Sequence, residues 1–313
     1  MSLGTQGHVG GELQRRLKGG DFIVTAELSP PVSTDPTDFV NRALPLRGLA
    51  TAVNVTDGAG AKAHMATLAA AHFLTEAGVE PILQMACRDR NRIALESDLL
   101  GALAMGIHNV LVLTGDDPKA GDQPDAKPVF DFNSTNLLEM AQRMRREKKL
   151  PPGTDIKGEI DFVIGATDVP VDPPPDWNPK SLIAKVEAGA DFLQTQFCMD
   201  AEVVRRYAKR LVELGIAPKL GVLIGLCPIP SARSAIWMKE KLFGTRIPDA
   251  IVERLEKAAD ARAEGRAICI ELMREMVGIP GIAGVHIMAP VNPSAIPGVI
   301  EESGVTKQKR ARV

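Results

Sequence analysis

The sequence predicts a single-domain (β/α)8 TIM barrel. Three observations lead there. Eight short apolar, β-rich runs recur along the chain, helical patterns fill the gaps between them, and 313 residues suit one barrel with its connecting loops. The runs lie at 21–28, 52–57, 81–87, 109–116, 160–166, 191–197, 219–226 and 283–290. Near-continuous apolar stretches of this length fit strands covered on both faces, as in a parallel sheet.

The helical segments have recognisable ends. Residues 36–48 follow Ser33-Thr34-Asp35, which are good N-cap residues, and 62–78 closes on Gly78. Residues 91–106 end in Gly106, and 134–149 stop before Pro151-Pro152. Further helices are expected over 179–189, 200–214 and 293–303. The stretch 231–278 holds two or more, interrupted near Gly244 to Pro248. An open dinucleotide-binding sheet is disfavoured, because no G-x-G-x-x-G follows the first strand. The barrel is expected over 21–304, preceded by an N-terminal leader over 1–20 and followed by a basic, frayed tail over 305–313.

Composition narrows the function classes. The net charge of −2 and 4% aromatic content give no electrostatic footprint or stacking platform for nucleic acid. No apolar run approaches the ~20 residues of a membrane span. The N-terminus lacks the apolar run of a signal peptide, so a cytoplasmic chain with reduced thiols is expected. Cys87, Cys198, Cys227 and Cys269 form no CxxC pair, and no metal site is expected.

In a barrel, chemistry sits at the C-terminal ends of the strands. Polar residues fall there in apolar surroundings: Glu27, Thr56 and Asp57, Gln84 and Cys87, Thr114-Gly115-Asp116, Gln194 and Gln196, and His286. A carboxyl such as Glu27, set in TAELSPP, is costly to bury unless it is paired or functional. It reads either as a general acid or as a strand-end residue bonded to loop amides. Asp116 reads as a ligand-facing carboxylate beside a glycine that lets a ligand approach, or as a turn residue. Gln196 faces a ligand or a neighbouring strand, and His286 is a core histidine or a base. The loops 117–132 and 167–178 both follow strands and are either lids or decoration.

These strand ends also carry a resemblance. TAELSPP, NVTDGAGA, QMACRDRN, LTGDD, KVEAGADFLQTQF and GLCPIPSARSAIWM, in that order, resemble the methylenetetrahydrofolate reductase family, in its short bacterial, flavin-type form. The resemblance implies a barrel with FAD across its C-terminal face, used in turn by NAD(P)H and a tetrahydrofolate derivative. It implies that Glu27 is the general acid and that Asp116 tunes the flavin and favours a cationic intermediate. It further implies that Gln196 and His286 meet the folate, that Thr56, Gln84, Thr114 and Gly115 line the cofactor, and that Lys185 meets its phosphates. The chain departs from the family pattern where Gln84 replaces a histidine, Thr114 an arginine, Ala232 a stacking phenylalanine and Met288 an aromatic residue. Alternatives are a flavin-independent relative and a folate-binding subunit, and a homo-oligomer or an electron-donating partner is compatible with either.

Overall fold

In the computed structural model, residues 11–312 are described. Eight strands, β1 (Ile23–Leu28), β2 (Ala52–Val55), β3 (Pro81–Ala86), β4 (Asn109–Leu113), β5 (Val163–Asp168), β6 (Phe192–Phe197), β7 (Gly221–Leu226) and β8 (Gly284–Ile287), close in sequence order into one barrel. Every neighbouring pair is parallel, including β1 with β8, where Thr25 pairs with His286. The expected (β/α)8 architecture is the one observed.

Eleven helices are assigned among the described residues. α1 (Glu12–Gly19) precedes the barrel. α2 (Thr37–Ala43), α3 (Thr67–Glu76), α4 (Arg92–Ala104), α5 (Ser134–Glu147), α6 (Lys180–Glu187) and α7 (Ala201–Glu213) each follow one strand. The expected 231–278 region becomes three helices, α8 (Ala232–Lys241), α9 (Asp249–Lys257) and α10 (Ala261–Val277), and α11 (Ile296–Ser303) follows β8. Side-chain caps set several starts: Asn91 accepts from Ala94 N at 3.0 Å, Asp200 from Glu202 N at 3.1 Å, and Asn133 forms a capping box with Asn136. α3 begins at Thr67, later than the expected 62. Left-handed backbone at Gly58, Gly60 and Ala61 first turns the chain through a short 3-10 segment.

Two cores result. The larger lies between the outward strand faces and the helices and includes Phe22, Phe39, Phe162 and Tyr207. The smaller fills the lower barrel interior with Ile23, Ile82, Leu111, Val163, Phe192 and Leu223. Gly165 makes room there, since a Cβ on it would fall 2.2 Å from the Phe192 ring.

The ends of the chain differ from the expected leader and loose tail. α1 closes the N-terminal mouth of the barrel, and its Leu13 is fully buried in the lower core. The Glu80 carboxylate, at the start of β3, accepts from the otherwise unpaired Glu12 and Leu13 amides at 2.6 and 3.1 Å and from Asn109 Nδ2 at 2.8 Å. Residues 305–311 then lie against this end. Phe22 N donates to Gln308 O at 2.9 Å, Lys309 pairs with Asp21 at 2.6 Å, and Ala311 N donates to Val277 O at 3.2 Å. The first ten residues of the expected 1–20 leader fall outside the described residues. No helix of the described residues is long and apolar enough to cross a membrane.

Leu13→Ala is expected to lower stability by about 2–5 kcal/mol, because the rigid lower barrel cannot collapse on the space left behind. Equilibrium denaturant unfolding measures it. A change of a few tenths of a kcal/mol would make α1 an appendage instead of a plug.

Candidate active site

Glu27 sits near the end of β1, and its side chain is one-quarter exposed at the C-terminal mouth. Its Oε2 accepts from Gln84 Nε2 of β3 at 2.8 Å, and His286 Nε2 of β8 lies 3.5 Å from the same oxygen. Alternation along a strand puts Thr25 on the same face one step deeper. There its hydroxyl lies 2.9 Å from His286 Nδ1. The carboxyl is therefore bonded to Gln84 and faces His286, side chains of two other strands.

The mouth around it is assembled from the strand ends. Thr56, after β2, is buried, and its hydroxyl donates to Ser29 Oγ at 3.0 Å. The Asp57 carboxylate accepts from Ala86 N at 2.8 Å and pairs with Arg90 at 2.6 Å. This pins the loop after β3 to the end of β2. Asp116 is exposed, and its Oδ2 accepts from Gly60 N at 3.2 Å. Glu27 and Asp116 thus belong to the same face of the barrel, one held inside the mouth and the other on the rim.

Other candidates are engaged by their own chain. Thr114 is exposed and braces the start of α5, accepting from Ser134 N at 3.4 Å. Gly115 has φ 95°, and a Cβ there would come within 2.9 Å of Arg88 Cβ, so packing and backbone both demand glycine. Gln196 Nε2 donates to Phe243 O at 3.2 Å, which places this 87% exposed phenylalanine at the mouth beside it. Lys185 points inward, and its Nζ donates to Thr167 O at 2.6 Å. Burial pushes its pKa down, partly offset by the charge of Asp168.

Sequence reasoning passed over Thr25, Asn54 and Arg88, and marked Gln194 as polar without a role. Thr25, Asn54 and Gln194 are buried polar residues inside the barrel, and Gln194 bonds to both of the others. Polar residues in apolar strands were the available signal; their partners lie 140 or more positions apart. Arg88, buried in the CRDRN segment, pairs with Asp89 at 2.7 Å and reaches Gly58 O at 3.2 Å. Burial pushes the thiols of Cys87 and Cys198 up to about 11 and that of Cys227 up to about 12. Among the described residues, no group of three or more His, Cys, Asp or Glu side chains is placed to hold a metal ion.

A cavity of about 800 Å³ opens at the other end of the barrel, lined by Lys18, Arg145, Asp191, Lys219 and Arg310 among others. It lies beside α1 and the chain's last residues, away from the strand C-termini. The geometry of a (β/α)8 barrel therefore points to the Glu27 mouth as the place for chemistry.

The methylenetetrahydrofolate reductase family model matches residues 12–304, nearly the whole chain. The chain belongs to the methylenetetrahydrofolate reductase family. Its relatives include a probable methylenetetrahydrofolate reductase (NADPH) of Caenorhabditis elegans, 28% identical over 78% of this chain and 35% of that protein. Methylenetetrahydrofolate reductase 1 of Schizosaccharomyces pombe is 25% identical over 91% of this chain and 46% of its own length. The chain spans about half or less of the curated relatives it matches. Among solved structures, an uncharacterised protein from Clostridium thermocellum that binds two copies of 5-methyl-5,6,7,8-tetrahydrofolic acid superposes with a TM-score of 0.62. It covers 94% of this chain and 97% of that one at 14% identity, which shows a shared fold.

A second buried ionisable group gives a pH test. Tyr207 hydroxyl donates to Asp168 Oδ2 at 2.5 Å. Burial raises the Asp168 pKa above its ordinary 3.8, with the Tyr207 bond and Lys185 opposing. The folded state therefore holds this proton more tightly than the unfolded chain. Its contribution to stability is complete below 3.8 and is lost as pH rises through the raised folded value. Asp168→Asn is expected to unfold at higher urea than the parent at neutral pH, with the gain vanishing below pH 3.8. A less stable variant at neutral pH would show instead that the ionised carboxylate is a net stabilising partner of Lys185.

Proposed function

We propose that the chain is a 5,10-methylenetetrahydrofolate reductase, interconverting 5,10-methylene- and 5-methyl-tetrahydrofolate with NAD(P)H as co-substrate. One observation carries the reading. In a chain of this family, the carboxyl at the matched position is three-quarters enclosed at the barrel mouth, bonded to Gln84 and facing His286, side chains of two other strands. An acid fixed in this way transfers a proton with little reorganisation.

The chemistry assigned to the residues follows from their types. Glu27 gives a proton to N10 of the folate, the bond from N10 to the bridging methylene breaks, and a 5-iminium cation forms. Hydride adds to the exocyclic methylene carbon and gives the 5-methyl product, leaving the hydride donor oxidised. Asp116 contributes negative charge on the rim, which favours the cation. Gln196, at the same mouth, offers its amide to the pteridine edge. A barrel of this fold in Clostridium thermocellum binds 5-methyl-5,6,7,8-tetrahydrofolic acid, so the architecture accommodates the ligand class.

FAD is the carrier that the family resemblance implies; bound, it would relay hydride between the nicotinamide and the folate. The residue types at the mouth fit its ring: Thr56, Gln84 and Gly115 sit at the strand ends that also carry Glu27 and Asp116. The phosphate end fits less well, because the matched cation Lys185 is turned onto Thr167 O. Retaining the dinucleotide requires that lysine to reorient or another cation to serve.

Glu27→Gln is expected to cut folate turnover by about 10²–10⁴-fold while leaving methyl-tetrahydrofolate binding measurable. Unchanged turnover would remove Glu27 from the chemistry, and a protein that binds folate without turning it over would act as a binding subunit. The visible spectrum of purified protein should show flavin bands that bleach on anaerobic titration with methyl-tetrahydrofolate. A colourless protein that still reduces methylene-tetrahydrofolate with NADH or NADPH would take the flavin out of the account and leave the acid in place.

A further inference from the structure

The barrel interior directly below Glu27 is polar, where barrels of this type carry branched apolar side chains. Thr25, Asn54, Gln194 and His286 are each at most 3% exposed. Such groups are costly to bury unless all are satisfied, and here they satisfy one another in a single chain. Asn54 Nδ2 donates to Gln194 Oε1 at 2.6 Å, and Gln194 Nε2 donates back to Asn54 Oδ1 at 2.9 Å. The other hydrogen on Gln194 Nε2 goes to Thr25 Oγ1 at 3.0 Å.

That last bond bears on a proton position. Because Thr25 Oγ1 accepts from Gln194, its own hydrogen is directed elsewhere. Two acceptors are within reach, His286 Nδ1 at 2.9 Å and Val285 O at 3.5 Å, and the shorter contact is the stronger bond. With Nδ1 accepting, a neutral His286 carries its hydrogen on Nε2, which faces Glu27 Oε2 at 3.5 Å. The same oxygen already accepts from Gln84 Nε2 at 2.8 Å. Rotating the Asn54–Gln194 amide pair would reverse every link. Gln194 would then present oxygen to Thr25, Thr25 would accept from Nδ1–H, and the Nε2 lone pair would face the Glu27 carboxylate.

We propose that Gln194 and Thr25 are positioning residues that fix His286 as its Nε2–H tautomer, so that Gln84 and His286 together hold Oε2 of Glu27 and reserve Oε1 as the oxygen that carries the transferred proton. The assignment of the tautomer rests on the Gln194 amide orientation and the 2.9 Å contact between Thr25 Oγ1 and His286 Nδ1; the role of Oε1 rests on the proposed reductase reading.

The test is 15N NMR of the full-length chain labelled at histidine, with His286 assigned by the signal lost in His286→Gln. The wild-type protein is expected to show an Nε2–H ring with an unprotonated Nδ1. Thr25→Val removes the hydroxyl and is expected to abolish that preference, and Thr25→Ser to restore it. An Nδ1–H ring in the wild type, or the same tautomer in Thr25→Val, overturns the proposal. If Thr25→Val does not fold, the wild-type tautomer still decides. The kinetic arm separates the two readings. Thr25→Val is expected to lose on the order of 10- to 100-fold in kcat with KM for methylene-tetrahydrofolate little changed, and Thr25→Ser to recover it. Wild-type protein without reductase activity would sink the proposed function and leave the tautomer result standing. Active wild type with an equally active Thr25→Val would sink the positioning role alone.

Discussion

A closed parallel barrel shuts its interior off from water, so each polar group inside must find its partner among the other strands. In this chain that constraint falls on Glu27. The lower interior is filled by Ile23, Ile82, Leu111, Val163, Phe192 and Leu223 and plugged by Leu13. Above it the side chains turn polar, and Thr25, Asn54, Gln194 and His286 form a level that satisfies itself. Glu27 stands on that level, at the boundary between the sealed interior and the mouth. Its position is thus set by β1, β3 and β8 together, which is a stiffer support than loop amides would give.

The mouth separates two kinds of carboxylate. Glu27 is held inside, bonded to Gln84 and facing His286. Asp116 is exposed on the rim, where it accepts from the Gly60 amide. A third carboxyl, Asp168, is taken up by Tyr207 and the neighbourhood of Lys185. This explains why the lysine matched to cofactor phosphates lies turned into the protein.

Much of this was legible in the sequence, for physical reasons. Strands buried on both faces must be apolar throughout, so the eight runs stood out and their order gave the barrel. The polar interruptions in those runs marked Glu27, Gln84, Gln196 and His286. α1 was not legible, because an eight-residue segment with only two leucines, Leu13 and Leu17, has little helical signal of its own. It is ordered by the Glu80 carboxylate and the lower core, contacts that no local pattern records. β5 extends to Asp168, past the expected 166, because its pairing with β6 continues through Asp168 and Thr195. The partnership of Asn54 with Gln194 spans 140 positions and becomes visible only once the barrel closes.

The central claim is that the pteridine of a tetrahydrofolate lies over the Glu27 mouth and meets this carboxyl. A crystal structure of the chain with 5-methyl-tetrahydrofolate tests it most directly. The account predicts N10 or its bridging water within about 2.6–3.2 Å of Glu27 Oε1, with Gln196 at the pteridine edge and Oε2 still held by Gln84. A folate seated in the basic cavity at the α1 end, or one at the mouth with Glu27 turned away from it, would contradict the account.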